Sequence, residues 1–377
     1  MQFYDWQYKH HDPLKMDGDK PASEWTDIAN RPVSFDTVKD YIELAHNRGM
    51  KAMNYNLIFG GNNDADQDGV SKEWGLYKDA GHAVQDSHPL PEGWKSLELY
   101  EPGNPDWQNY IISKEENTFK WLPFDGWHID QLGSRGSFTY DGKPVNLALG
   151  YQSFIEKVKD KLDIDYVMNA VGQYGQPYIA KAPVKFLYSE LWSAHSTFNS
   201  LKEVIDQNLS NSGNKLNTVL AAYMNYFLSN NEGIFNAPGV LLTDAVIFAS
   251  DGSHLELGEN MLSKEYLPHK NLKITPELET SLTHYYDFLV AYQNVLRDSV
   301  EDSDVKLESS QIQLSDSADK GGVWAIAKKK EGYEIVNFIN LLDATTLGWN
   351  DTFGTQKEPA EKTNIDISVE TETKVKA

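Results

Sequence analysis

The chain has 377 residues, with 34 Lys and Arg against 56 Asp and Glu, a formal net charge of −22. That excess repels phosphate backbones and anionic bilayers, so it argues against nucleic-acid partners and against binding to an anionic membrane surface, and no membrane insertion is expected because no apolar run approaches the roughly 18 residues of a spanning helix. Cysteine is absent, which removes disulfides, zinc–thiolate sites and cysteine nucleophiles.

Met1 leads straight into QFYDWQYKHH, with no basic n-region, apolar h-region or small-residue cleavage site, so no signal peptide is legible in this chain. QFYDW reads as a strand entered at the first residues. Ser34 caps an expected helix carrying Val38, Tyr41, Ile42 and Ala45 on one face, with Gly49 as its stop. MKAMNYNLIFGG (50–61) reads as a buried strand running into a Gly-rich loop. A helix from about Trp107 to Trp121 ends before Pro123, and FDGWHIDQLG (124–133) follows as strand plus loop. A helix over about Tyr151 to Leu162 precedes the strand DYVMNAVG (165–172), and FLYSELW (186–192) is the next strand. A helix near Leu201 to Leu209 leads to TVLAAYMNY (218–226), and DAVIFASDGSHLELGE (244–259) reads as the seventh strand with its loop. Thr275 and Pro276 start a long helix with Leu278, Leu282, Tyr285, Leu289, Tyr292 and Leu296 at helical spacing.

Helix–strand alternation at this length predicts the α/β class and a (β/α)8 TIM barrel, lacking its first strand because only seven candidates occur. A doubly wound sheet would carry a Gly-rich phosphate turn after its first strand, and none is present. After about Val300 short alternating runs broken by Gly and Asp predict a small antiparallel β-sandwich domain. The expected division is therefore 1–299 for the barrel and 300–377 for the β domain, with the segment from about Lys357 onward as an edge strand or loose tail.

Ten Trp, 20 Tyr and 15 Phe suit stacking on flat, neutral, hydroxyl-rich ligands such as sugars, and equally suit a large aromatic core. Barrel sites form at the C-terminal ends of strands. The polar residues expected there are Asp5, Asn54 and Asn56, His128 and Asp130, Asn169, Glu190, Asn225, and Asp251 with His254 and Glu256. Asn and Asp also terminate strands and cap helices for purely structural reasons. Asp130 and Glu190 stand out because both sit among aromatic and apolar neighbours, where desolvation raises a carboxyl pKa. Two carboxyls in different environments suit glycoside hydrolysis, one attacking the anomeric carbon and the other handling the proton. No metal site and no cofactor are expected. His10 and His11 are adjacent and point to opposite faces of a strand, no HExxH occurs, and DADQDG (64–69) reads as a solvated loop because Gly75 stands where a calcium loop needs its bidentate Glu. Neither a GxSxG elbow nor a Walker loop is present.

FDGWHIDQLG and FLYSELW resemble glycoside hydrolase family 66, which contains endo-dextranases and cycloisomaltooligosaccharide glucanotransferases. QFYDWQYKHH, MKAMNYNLIFGG, ASDGSHLELGE, VNFINLL and GWNDT fit the same family in the same order, over nearly the whole chain. The resemblance implies a retaining mechanism on dextran and isomalto-oligosaccharides, with Asp130 as nucleophile and Glu190 as general acid/base. It makes Asp5, Trp6, Asn56, Trp127, His128, Asn169, Trp192, Asn225, Asp251, His254 and Glu256 candidates for the subsite walls. It also implies an N-terminal β-sandwich and a first barrel strand upstream of QFYDW, and secretion or cell-surface attachment of a complete parent. The glucanotransferases carry a binding module inserted near the seventh and eighth strands. The short stretch between Tyr226 and Asp244 favours plain hydrolysis over cyclisation, closest to endo-dextranase, and a monomer is expected. The competing expectation is a truncated, inactive or merely dextran-binding remnant.

Overall fold

The computed structural model describes residues 1–136, 138–256, 261–267 and 269–370. The chain forms two compact units, Met1–Tyr188 and Ser189–Ala377.

In the first unit a short strand β1 (Gln2–Phe3) pairs in parallel with β2 (Met53–Leu57), Phe3 opposite Asn54. β2 pairs with β3 (Gly126–Asp130), Tyr55 opposite His128 and Leu57 opposite Asp130. β3 pairs with β4 (Asp165–Val171), Ile129 opposite Met168. Helices separate these strands. α1 (Phe35–His46) starts at Ser34, whose side chain accepts the Thr37 amide, and buries Val38, Ile42 and Ala45 while Tyr41 is exposed. α2 (Pro105–Trp121) starts on Asn104 and Pro105, a half-turn before the expected Trp107, because Asn104 takes two first-turn amides and proline at the first position forfeits no bond. α3 (Leu147–Lys159) starts on Asn146. β1 is shorter than expected. Asp5 adopts a left-handed backbone (φ 47), and residues 4–13 turn away from the sheet, closing on a Tyr8 N–H to Pro13 carbonyl bond. Trp6, Trp25 and Phe124 then pack with Phe3, Val38 and Ile42 as one core.

β5 (Leu187–Glu190) straddles the boundary between the units. In the second unit α4 (Phe198–Asn211) opens with a reciprocal Thr197/Ser200 cap. β6 (Thr218–Ala221) pairs in parallel with β7 (Gly252–His254), Leu220 opposite His254. Between them lies α5 (Ala237–Ala249), so DAVIFA is helical, contrary to the strand expected for it. A short apolar run has no periodicity to separate a buried strand from a buried helix. Residues 257–259 of that motif lie outside the described residues. The long helix breaks at Tyr292, leaving α6 (Pro276–Ala291) and a single turn, Gln293–Leu296.

Near the C-terminal end, β8 (Glu301–Asp302) and β11 (Tyr333–Asn340) flank β10 (Val323–Lys330) antiparallel, but β9 (Leu314–Ser315) pairs with β10 in parallel. The sheet is therefore mixed: alternation identifies extended chain and says nothing of strand direction. Trp324, Ile326 and Ile339 of this sheet share one apolar cluster with Leu201, Ile247 and Leu282 of the helices. Strand and helix alternate with parallel pairing through both units, and the fold class is α/β, of the (β/α)8-barrel type with an added C-terminal β region.

Candidate active site

In the first unit, alternation along β2, β3 and β4 puts Tyr55, His128, Asp130 and Asn169 on one face. Asp130 ends β3 with its carboxyl held from three sides. Tyr55 donates its hydroxyl to Oδ2 at 2.9 Å, Asn169 donates to Oδ1 at 2.9 Å, and the Gln131 amide donates to Oδ1 at 2.8 Å. Burial raises the Asp130 pKa and these donors oppose the rise. Such a carboxylate is fixed in direction and poorly solvated, which suits a nucleophile.

The floor beside it is aromatic. Tyr4 stacks on Tyr55 at 4.1 Å, and His128 meets Tyr4, Tyr55 and Tyr188 at 5.5, 5.7 and 5.0 Å between ring centres. Burial alone pushes His128 down to about 3, so it is a neutral ring. Asp5 belongs to the same charge cluster. Burial raises it to about 6, Arg31 at 3.7 Å pulls it down, and Asp27 and Asp130 push it up.

Three expected wall residues of this unit lie elsewhere. Trp127 is fully buried and packs edge-on against Phe154 of α3, as its odd position in β3 requires. Trp6 donates its indole N–H to Asn54 Oδ1 inside the core. Asn56 faces α2, donating to Glu115 Oε1 at 2.7 Å and bonding His10 through Oδ1. Asn54 gives Glu115 its second bond, to Oε2. These residues are braces, and we do not retain them as wall candidates. In the 64–69 segment the Lys9 ammonium pairs with both Asp64 and Asp68, and His11 bonds Asp68.

In the second unit, Glu190 ends β5 and is 9% exposed. The Tyr223 hydroxyl donates to its Oε1, and the Trp192 ring lies 5.2 Å from that of Tyr223. His254 is buried. Its Nδ1 faces Asp244 Oδ1 at 2.8 Å and its Nε2 faces the Ala222 carbonyl at 2.9 Å. Both nitrogens must donate, so the ring is an imidazolium, and Asp244 and Glu256 outweigh desolvation to raise it to about 9. Glu256 lies 3.8 Å from Nδ1 and is pushed up by burial and by Asp244. Ligand atoms of Asp244, His254 and Glu256 lie within 4.8 Å of one another, but both imidazole nitrogens are committed as donors, to Asp244 and to the Ala222 carbonyl. Asp251 pairs with the buried Lys328 of β10, and Asn225 is tied to Asp351 and to the Asn236 amide. His254, Asp251 and Asn225 are therefore committed within the protein rather than presented to a ligand.

Tyr55, Tyr4, Arg31, Tyr223 and Asp244 were not anticipated. Tyr55 was reachable from parity, since it faces the same way as His128 once the β2–β3 register is known. Tyr223 follows the end of β6 and carried no signal.

Strand-end carboxylates on a (β/α)8-type scaffold are found in barrel enzymes of several chemistries, glycosidases among them. The chain belongs to glycosyl hydrolase family 66, whose family model matches residues 1–377. A cycloisomaltooligosaccharide glucanotransferase of Niallia circulans is 25% identical over 510 residues, covering 98% of this chain and 52% of that protein. A dextranase of Streptococcus salivarius is 25% identical over 419 residues, covering 97% of this chain and 51% of that protein. The chain thus spans about half the length of the curated relatives it matches. A cycloisomaltooligosaccharide glucanotransferase of Paenibacillus sp., solved with cycloisomaltoheptaose, superposes with a TM-score of 0.92 at 25% identity, covering all of this chain and 73% of that one. An α-amylase of Geobacillus thermoleovorans, at TM-score 0.51 and 16% identity, shares the fold over 83% of this chain and 71% of its own.

Proposed function

We propose that this chain is the catalytic part of an endo-acting, retaining glycoside hydrolase that cleaves α-1,6-glucosidic linkages of dextran. Asp130 attacks the anomeric carbon and the bond to the leaving glucosyl oxygen breaks, while Glu190 gives that oxygen its proton. Glu190, now a carboxylate, takes a proton from water; the water oxygen bonds to the anomeric carbon and Asp130 departs. Retention by this route asks for roughly 5–5.5 Å between the two carboxyl groups.

The observation that carries the reading is the three-donor hold on the Asp130 carboxyl at the end of β3. Asp5, Asn169, Trp192 and Glu256 are the proposed contacts for substrate, with His128, fully buried against Tyr4, Tyr55 and Tyr188, as the backing of the aromatic floor, and a polymer of this size places the enzyme's work outside the cell. The test is reducing-sugar release from dextran by the 377-residue chain beside Asp130→Asn and Glu190→Gln. Loss of roughly 10²–10⁴ in rate is expected for either variant, and near-normal rates in either would remove that assignment. Release from neither parent nor variants supports the remnant reading.

Glucanotransferase relatives favour a second reading, in which a sugar hydroxyl replaces water as acceptor. The segment between β6 and α5 is short, holding only the turn Leu228–Asn230 and the two-residue strand Gly233–Ile234. Hydrolysis is therefore preferred. Cyclic isomalto-oligosaccharides among the dextran products would reverse that preference.

A further inference from the structure

We propose that Tyr223 is the positioning residue of the Glu190 carboxyl, holding it in the one rotamer that serves both proton transfers. The inference rests on the acid/base reading of Glu190 and draws only on geometry within Ser189–Ala377.

The first observation is the contact itself, a phenol hydroxyl donating to Glu190 Oε1 between two buried side chains. Its chemistry is directional. With Oε1 accepting from the phenol, the plane of the Glu190 carboxyl, and so the line along which its acid proton is given up, is fixed. After that proton has gone, the same hydroxyl stabilises the carboxylate that must next accept one from water.

The second observation is that Tyr223 is itself fixed. Its ring is set between Trp192 at 5.2 Å and Tyr226 at 6.5 Å. The backbone on either side is clamped. The Leu191 amide donates to the Ala221 carbonyl at 3.0 Å, and His254 Nε2 donates to the Ala222 carbonyl at 2.9 Å. The Met224 amide donates to the Leu262 carbonyl at 2.9 Å and the Asn225 amide to the Asn350 carbonyl at 2.8 Å. Asn225 takes a left-handed backbone (φ 54), and its side chain donates to the Asp351 carbonyl at 2.7 Å. The His254–Asp244 pair and the 350–351 segment therefore converge on one tyrosine. This accounts for polar residues at strand ends that do not present themselves to a ligand.

Tyr223→Phe deletes the hydroxyl and keeps the ring. It is compared with the parent and with Glu190→Gln on two substrates: dextran, whose leaving oxygen needs a proton, and 4-nitrophenyl α-isomaltoside, whose phenolate leaves without one. Tyr223→Phe should lose roughly 10–100-fold in kcat/KM on dextran, change less than about threefold on the aryl glycoside, and melt within a few degrees of the parent. Equal losses on both substrates, or none on dextran, overturn the positioning role. Glu190→Gln with normal dextran cleavage overturns the acid/base reading instead. A crystal structure of Tyr223→Phe decides the matter independently of turnover. Glu190 should leave its parental rotamer or occupy two, and an unmoved carboxyl overturns the proposal.

Discussion

Tyr55 reaches from β2 to Asp130 on the neighbouring parallel strand and donates its hydroxyl to Oδ2 at 2.9 Å. The pair joins the aromatic floor to the proposed nucleophile, so one hydroxyl both orients the carboxylate and stabilises its charged form. Asn169 and the Gln131 amide also donate to that carboxyl.

Tyr55→Phe should therefore lower kcat/KM on dextran by roughly 10–100-fold, the range for one hydrogen bond to a charged group. Removing a donor to the carboxylate raises the Asp130 pKa, so the acidic limb of the kcat/KM profile should move to higher pH. A limb at the parental position would show that Tyr55 does not act on Asp130.

Glu115 gives a stability prediction. It is buried on α2 between Asn54 and Asn56, and burial, opposed by those two donors, raises it to about 8. The folded state keeps this proton between pH 4.5 and about 8 while the unfolded state releases it, so stability falls as pH rises across that window. Glu115→Gln removes the titrating group, at the cost of one of the two bonds accepted from Asn54 and Asn56. Its melting temperature should decline less than the parent's between pH 5 and 8, and parallel curves would contradict the assignment.

His254 titrates with the opposite charge. Its folded pKa of about 9 exceeds the unfolded 6.5, so its contribution is complete below about pH 6.5 and is lost as pH rises through 9. Nitrogen NMR at pH 7.5 should find protons on both Nδ1 and Nε2. Asp244→Asn should bring the pKa back down and convert His254 to a single-proton ring at that pH. A singly protonated ring in the parent would refute the imidazolium.

Buried Lys328 of β10 pairs with Asp251, which is partly buried in the turn after α5. Lys328→Met leaves Asp251 uncompensated and should cost about 3–5 kcal/mol. Adding Asp251→Asn should recover much of that loss, because the isolated charge is what is expensive. Additive losses in denaturant titrations of the double variant would show that the two groups do not interact.

Much of the fold was legible because its signals are local. Ser34 and Thr275, read as helix starts, each accept an amide from the first turn of the helix that follows them, whatever the rest of the chain does. The failures have equally local causes. AVIFA (245–249) is apolar throughout and gave no period, and Leu314–Ser315 was extended without any mark of direction.

Family motifs and strand-end position, both read from the linear chain, single out Asp130 and Glu190 as the proposed pair. Which neighbours assist them was not determined at that level. Adjacent residues in a strand point to opposite faces, so GWHID offers Trp127 and His128 on equal terms. Only the packing of Trp127 on Phe154 and of His128 against Tyr55 separates core from site. His254 likewise reads as a ligand contact until the Ala222 carbonyl and Asp244 claim both its nitrogens. A residue's type sets what it can bond, and the partners that reach it first, brought from distant points of the chain, decide what it is left free to do.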